Sequence, residues 1–444
     1  MTVSGSLSRA HRTAAQFTPG DRELLLRLLE LPTAGPLETR GRHPVRLWEA
    51  QQEYARAAGE LGFEVVSHRP ADPSSIRGDD VPKLVKDTAQ ILPDFLGSQP
   101  SLVLRLGPQL PRRSTVMFNV HLDTTSGNEP VRFDGARFHG RGAIDAKGPA
   151  VALLAGVRAA LAASPAVGAE TAIIIQAVAG EEGGAMGSFG TRPLVEQGYV
   201  GRLNVFCEPT GLRLLTRSTA AMTACIEVAG HDAIDDEPGK GHNASVLLGF
   251  LAQHFARLLP PQVSDGQVCI AGLQTGPMHN KVYGTGRLLL NLSYGSVTSA
   301  HRMERALVTA LDSGLTEFAE RFAGAPGLAL TAADAVNITR LVWLKRGLPA
   351  LAPQLGPAGD VAVDQLVQDA GLARWPADEP AFTCDAIWMS GVPQTSTVVF
   401  GPGSLGANHA HAPGEFADLA ELETFSHAVS RLLLSFTHNT IWSE

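Results

Sequence analysis

The chain has few cysteines and none in a telling arrangement: Cys207, Cys225, Cys269 and Cys384 are scattered without CxxC or CxH spacing. That pattern indicates neither a zinc knuckle nor a disulfide framework, and reduced, cytoplasmic thiols are the expectation. Long apolar runs are missing too. No window suits a bilayer, and the opening MTVSGSLSRAHRTAAQFTPG carries no apolar core of signal-peptide length, so a soluble protein without a membrane partner is expected. Basic excess is also absent: the formal net charge of -8 argues against a nucleic-acid partner. There is no internal repeat and no low-complexity tract.

What is present is an ordinary globular balance, 44% hydrophobic and 18% charged over 444 residues. At about 150 residues per domain, such a length suggests two or three domains. DRELLLRLLELP and PVRLWEAQQEYARAAGELGF have helical spacing, and FEVVSH, SLVLRLG, STVMFNVHLD, TAIIIQAVAG and RLNVFCE read as strands. AKGPAVALLAGVRAALAA reads as a buried helix with Pro149 in its first turn. Short strands apolar on both faces, alternating with helices, predict a mostly parallel sheet covered on both sides.

From about residue 213 the pattern changes. AMTACIEVAG, QVCIAGLQTG, RLLLNLSYG and LALTAADAV read as strands, with helices over HNASVLLGFLAQHFARLL and AHRMERALVTALDSGLTEFAERFA. The order βαββαβ is that of a ferredoxin-like unit. The predicted fold is therefore α/β: a catalytic domain over 1–212 and 337–444, interrupted by a lid domain over 213–336. TSTVVFGPG and AELETFSHAVSRLLLSF supply a last strand and an amphipathic helix.

Polar groups collect where these strands end. FNVHLD carries His121 and Asp123, two apart and so on one face if the strand persists. GRGAIDAKG sets Asp145 in a glycine-flanked turn, VAGEEGG carries Glu181 and Glu182, FCEPTG carries Glu208, and HAHAPGE carries His409 and His411. Open α/β sheets bind ligands at the carboxyl ends of their strands. Imidazole and carboxylate are donors that catalytic Zn²⁺ takes, and a carboxylate can bridge two ions about 3.5 to 4 Å apart. His121, Asp145, Glu182, Glu208 and one C-terminal histidine are therefore candidate metal ligands, with Asp123 placed to orient the His121 ring.

In order, HLD, GRGAIDAKG, GEEGG, CEPTG and GPG...HAHAPGE resemble the motifs of the dinuclear zinc metallopeptidase family of acetylornithine deacetylase, succinyl-diaminopimelate desuccinylase and glutamate carboxypeptidase, in peptidase clan MH. The resemblance spans nearly the whole chain. It implies a zinc-peptidase fold interrupted by a ferredoxin-like lid that often mediates dimerisation, hence a homodimer. It makes Asp145 the bridging ligand, His121 and Glu208 ligands of one divalent ion, and Glu182 and His411 ligands of the other. The ions are zinc by this resemblance, with cobalt or manganese as alternatives. His411 is preferred to His409 because it stands four before Glu415, and Asp145–Ala146 becomes a candidate cis peptide bond. Glu181 becomes the general base that takes a proton from water and returns it to the leaving nitrogen of an amide.

Two lid positions depart from that family. In GHDAIDDEPGKGHNA, Ile234 occupies the place of a histidine that stabilises an oxyanion in relatives, leaving His231 and His242 as nearby imidazoles. After Asn280, Ser293 stands where relatives keep a carboxylate-binding arginine, leaving Arg340, Lys345 and Arg346 as nearby charge. His231, Asn280 and Arg346 are accordingly the candidate substrate-binding residues. The expected activity is cleavage of an N-acyl or peptide-like amide bond on a non-standard small-molecule substrate. The alternatives are a non-hydrolytic acyltransferase or amide-forming enzyme of this fold, and a metal-binding protein that has lost turnover.

Overall fold

The computed structural model describes residues 14–262, 265–353, 357–439 and 442. Contacts divide it into two units, one comprising residues 1–78, 84–218 and 351–444, the other residues 79–83 and 219–350. In chain order the first unit begins with α1 (Pro19–Glu30), α2 (Leu47–Gly59), β1 (Glu64–Pro70), β2 (Pro100–Leu106), β3 (Thr115–His121), α3 (Lys147–Ala163), β4 (Ala172–Val178) and β5 (Leu203–Phe206). The second holds β6 (Ala220–Ala229), α4 (Ala244–Leu258), β7 (Gln267–Gln274), β8 (Thr285–Tyr294), α5 (Val297–Phe322), α6 (Ala329–Ile338) and β9 (Thr339–Lys345). The first unit then resumes with β10 (Ser396–Val399) and α7 (Leu419–His438).

The sheet of the first unit runs β1-β2-β4-β3-β5-β10. Its first two pairings are antiparallel and the remaining three parallel. All seven residues of β3 are buried, as a central strand covered on both faces requires. The apolar run of α3 has the same cause: the helix is buried along nearly its whole length, and α7 packs on it. Gly156 permits the approach, because a Cβ there would stand 2.7 Å from both Ser426 O and Val429 Cβ. Ser426 Oγ donates to Ala152 O at 2.8 Å across the same contact. α1 starts sharply because Thr18 and Asp21 form a reciprocal capping box ahead of Pro19.

The second unit carries the antiparallel sheet β7-β8-β6-β9. Leu288, Leu290, Leu292 and Tyr294 alternate inward along β8, on which α4 and α5 pack. One expected element is different. LALTAADAV, read as a strand, lies largely within helix α6, and the closing strand β9 follows it. Its Leu-Ala-Leu-Thr opening mimics a two-residue alternation, but the alanine-rich run that follows favours helix. The unit accordingly ends at Ala350, and its main segment starts at Thr219, both later than the expected 336 and 213. β9 must stay with this unit because it pairs with β6 from Thr339 to Lys345. Among the described residues, no helix is long and apolar enough to cross a membrane.

Candidate metal centre

β3, β4 and β5 run parallel, so their carboxyl ends open on one edge of the sheet. β3 ends on His121, β4 is followed by the loop holding Glu181 and Glu182, and β5 by Glu208. Asp145 precedes α3, with a cis peptide bond to Ala146. His411 follows β10 in the 400–415 loop, with φ of 62°.

The Asp145 carboxylate divides its two oxygens between two imidazoles. Oδ1 is 2.9 Å from His121 Nε2, and Oδ2 is 2.9 Å from His411 Nε2. Glu208 Oε1 lies 3.8 Å from His121 Nε2, and Glu182 Oε1 lies 2.9 Å from His411 Nε2. Ligand atoms of His121, Asp145 and Glu208 lie within 4.8 Å of one another, as do those of Asp145, Glu182 and His411. His121, Glu181 and Glu182 meet the same distance, so proximity alone does not separate the paired glutamates. The contact of Glu182 with His411 does. His409, the other loop histidine, packs against Phe416 instead.

The role expected of Asp123 is divided between its main chain and its side chain. His121 Nδ1 donates to the Asp123 carbonyl at 2.9 Å, while the carboxylate Oδ1 is 3.8 Å away. A carbonyl only accepts, so Nδ1 carries a hydrogen, and Nε2, which meets the Asp145 carboxylate, is the nitrogen that would turn to a cation on losing its proton. The Asp123 carboxylate, through Oδ2, accepts the backbone N–H of Glu182 at 3.1 Å. One residue thus orients a histidine and ties down the glutamate loop.

The electrostatics show a surplus of negative charge. Burial raises Glu182 to about 7 and Glu208 to about 8. Desolvation, then the charge of Glu208, push Glu181 well above the usual carboxylate range. Burial also raises Asp145, but hydrogen bonds with His121 and His411 outweigh it and hold that acid below its ordinary value. His411 is raised to about 10 by its contacts with Asp145 and Glu182. Lys147 does not neutralise the cluster: burial lowers it to about 7, and its Nζ donates to the Leu31 carbonyl. Several converging buried carboxylates are costly without cations. A set of imidazole nitrogens and carboxylate oxygens within bonding reach of common points fits divalent ions.

Three further groups, Glu415, Arg141 and Asp385, have no functional role assigned from the sequence. Glu415, marked there only as a register point, accepts from Ile144 N at 3.1 Å, Asp145 N at 3.3 Å and Arg141 Nη1 at 2.7 Å. Arg141 Nη2 also donates to Ala412 O. The pair thereby joins the Asp145 turn to the His411 loop. Asp385, fully buried in FTCDAIWM, accepts from Thr191 Oγ1 at 2.5 Å, and burial raises it to about 7. An acid inside an apolar run was the one available signal.

The expected substrate-binding residues all fall in the second unit. His231 is exposed, and its backbone N–H donates to His242 Nδ1. His242 is buried with Nε2 on Asp334, so its ring is engaged at both nitrogens. Asn280 is exposed, as is Arg346, whose guanidinium lies over Trp343. Ile234 is 57% exposed on a two-residue strand, and Ser293 Oγ accepts from Gln267 N.

A model of the peptidase family M20/M25/M40 matches residues 117–435, and the chain belongs to that family. A putative [LysW]-lysine/[LysW]-ornithine hydrolase of Aeropyrum pernix is 30% identical over 201 residues, 45% of this chain and 52% of the relative. The chain thus spans about half the length of the curated relative it matches. Among solved structures, the aminopeptidase PepT of Bacillus cereus superposes with a TM-score of 0.65 at 14% identity, over 94% of this chain and 98% of that one. Human carnosine dipeptidase 1 gives 0.64 at 14% identity, over 98% and 100%. These two likenesses concern the fold.

Proposed function

We propose that this chain is a metal-dependent hydrolase of an amide bond, N-acyl or peptide-like, working with two divalent ions. His121, Asp145 and Glu208 hold one ion, and Asp145, Glu182 and His411 the other. The supporting observation is the Asp145 carboxylate with one oxygen at each imidazole. When bound, such ions acidify water and polarise a carbonyl. Glu181 removes the proton of the attacking water and delivers it to the leaving nitrogen, a task suited to a carboxylate that burial holds above its ordinary range. Asp123 fixes the His121 tautomer by its carbonyl and the Glu182 position by its carboxylate.

The substrate is non-standard for the acetylornithine deacetylase group, whose motif order the chain follows. Ser293 offers no planar fork for a free α-carboxylate. The Aeropyrum pernix relative is by its name a putative [LysW]-lysine/[LysW]-ornithine hydrolase, which favours a lysine- or ornithine-bearing amide as the substrate here. Ile234, whose side chain has no hydrogen-bond donor, also favours an acyl-transfer reading in which an amine replaces water. The test is to incubate Zn²⁺-loaded protein with a pool of N-acylated amino acids and peptides, with and without a second amine, following mass changes. Chelated protein and Glu181→Ala serve as controls. Hydrolysis products in the loaded wild type alone support the reading; identical behaviour of all samples overturns it.

A further inference from the structure

The loop that presents Glu181 and Glu182 is built of irregular turns rather than a helix or a strand. Gly180, Gly183, Gly184, Met186 and Gly187 all have left-handed φ, between 59° and 76° for the glycines and 54° for Met186. A stretch with so many such residues forms no regular ladder, so its shape depends on what braces it. Within the loop the backbone closes only in local turns, from Gly187 N to Gly180 O at 2.7 Å, Ala185 N to Glu182 O at 3.4 Å, Ser188 N to Ala185 O at 3.2 Å and Gly190 N to Gly187 O at 3.2 Å.

Outside bracing comes from the Asp123 carboxylate at Glu182 N and, further along the loop, from the one-turn segment Asp385–Met389. Trp388 Nε1 donates to the Met186 carbonyl at 2.6 Å, and Arg192 lies over the Trp388 ring. The Asp385 carboxylate presses on Gly187 so closely that a Cβ there would stand 2.3 to 2.5 Å from it. Its Oδ2 accepts the Thr191 hydroxyl at 2.5 Å. Thr191 Oγ1 in turn accepts from Asn119 Nδ2 at 3.1 Å, and Asn119 also donates to Gln176 Oε1 at 2.9 Å. Asn119 stands two residues before His121 on β3, and Gln176 lies on β4, the strand that leads into Glu181. The chain Asp385–Thr191–Asn119–Gln176 thus locks the loop against both strands.

We propose that Asp385 is a positioning residue: with Trp388 it holds the 180–191 loop so that Glu182 meets its cation and Glu181 faces the reacting amide. This rests on the metal-centre reading above. The role lies in accepting the Thr191 hydrogen bond and filling the space over Gly187, so asparagine serves and alanine does not.

The test uses the full-length protein and Co²⁺ as the probe, read by visible absorption and by competition with a chelator. Asp385→Ala and Thr191→Val are expected to bind the second Co²⁺ about 10- to 100-fold more weakly, with an altered spectrum, as for other residues that support metal ligands. Asp385→Asn is expected to keep the wild-type spectrum and affinity. Should Asp385→Ala fail to fold, Thr191→Val against Asp385→Asn decides. If wild type binds Co²⁺ and every variant matches it, the positioning role is overturned while the metal centre stands. If Asp385→Asn is as damaged as Asp385→Ala, hydrogen bonding and shape are not its contribution and the proposal is likewise overturned. If wild type binds no Co²⁺, the functional reading itself fails.

Discussion

The two units use their polar side chains in opposite ways. In the first, acids and imidazoles are carried inward and made to converge: Asp145 is shared between His121 and His411, and Glu182 and Glu208 are raised by burial. In the second, at the positions a related lid fills with a histidine and an arginine, Ile234 is exposed and Ser293 caps a strand neighbour through Gln267. His242 is held at both ring nitrogens. Convergent burial of like charge is unfavourable unless cations join it, whereas local satisfaction of each polar group needs none. Under the proposed function, the contrast is that of a metal chemistry beside an altered means of holding the substrate.

That contrast can be broken at either end. The largest effect is expected at the general base: Glu181→Gln should lower kcat by about 10²- to 10⁴-fold while elemental analysis still finds the wild-type metal content. Loss of metal along with activity would place Glu181 among the ligands instead. Next comes the pair joining the Asp145 turn to the His411 loop. Arg141→Met leaves Glu415 buried without its cation, which should cost about 3 to 5 kcal/mol in urea unfolding.

A third prediction concerns pH in chelated protein. Glu182 and Glu208 have folded values near 7 and 8, above the ordinary carboxylate value, so the folded state binds more protons between about pH 4.5 and 8 and stability falls as pH rises. His411, raised to about 10, adds stability that is present below about 6.5 and is lost as pH climbs through 10. The melting temperature of chelated protein should therefore decline from pH 5 to pH 8, and Zn²⁺ should flatten the decline. A rise over that interval would contradict the charge surplus. The smallest effect is expected in the second unit, where Ile234→His with Ser293→Arg should raise kcat/KM for N-acetyl amino acids over that of the wild type. Loss of the Gln267 contact costs about 1 kcal/mol of stability.

Much of the sheet, with His121, Glu182 and Glu208, was legible in the sequence because strand ends are marked twice, by an apolar run and by the acid or histidine that follows it, whereas the choice of His411 over His409 and the bridging place of Asp145 rested on the resemblance of the motifs. LALTAADAV failed that logic: a short alternating start outweighed the helical preference of its alanines, and β9 was missed with it. The division of labour in Asp123 was illegible because spacing places side chains and says nothing of which carbonyl a ring nitrogen meets. Asp385 and Arg141 act across 194 and 274 residues of chain, on Thr191 and Glu415, and no local pattern encodes such partners.

The central claim is that Asp145 joins two cation sites, and native mass spectrometry of Zn²⁺-loaded protein tests it most directly. Two ions are predicted per chain in the wild type, one in His411→Ala and none held tightly in Asp145→Ala. A single ion in the wild type, or two retained in Asp145→Ala, would contradict it.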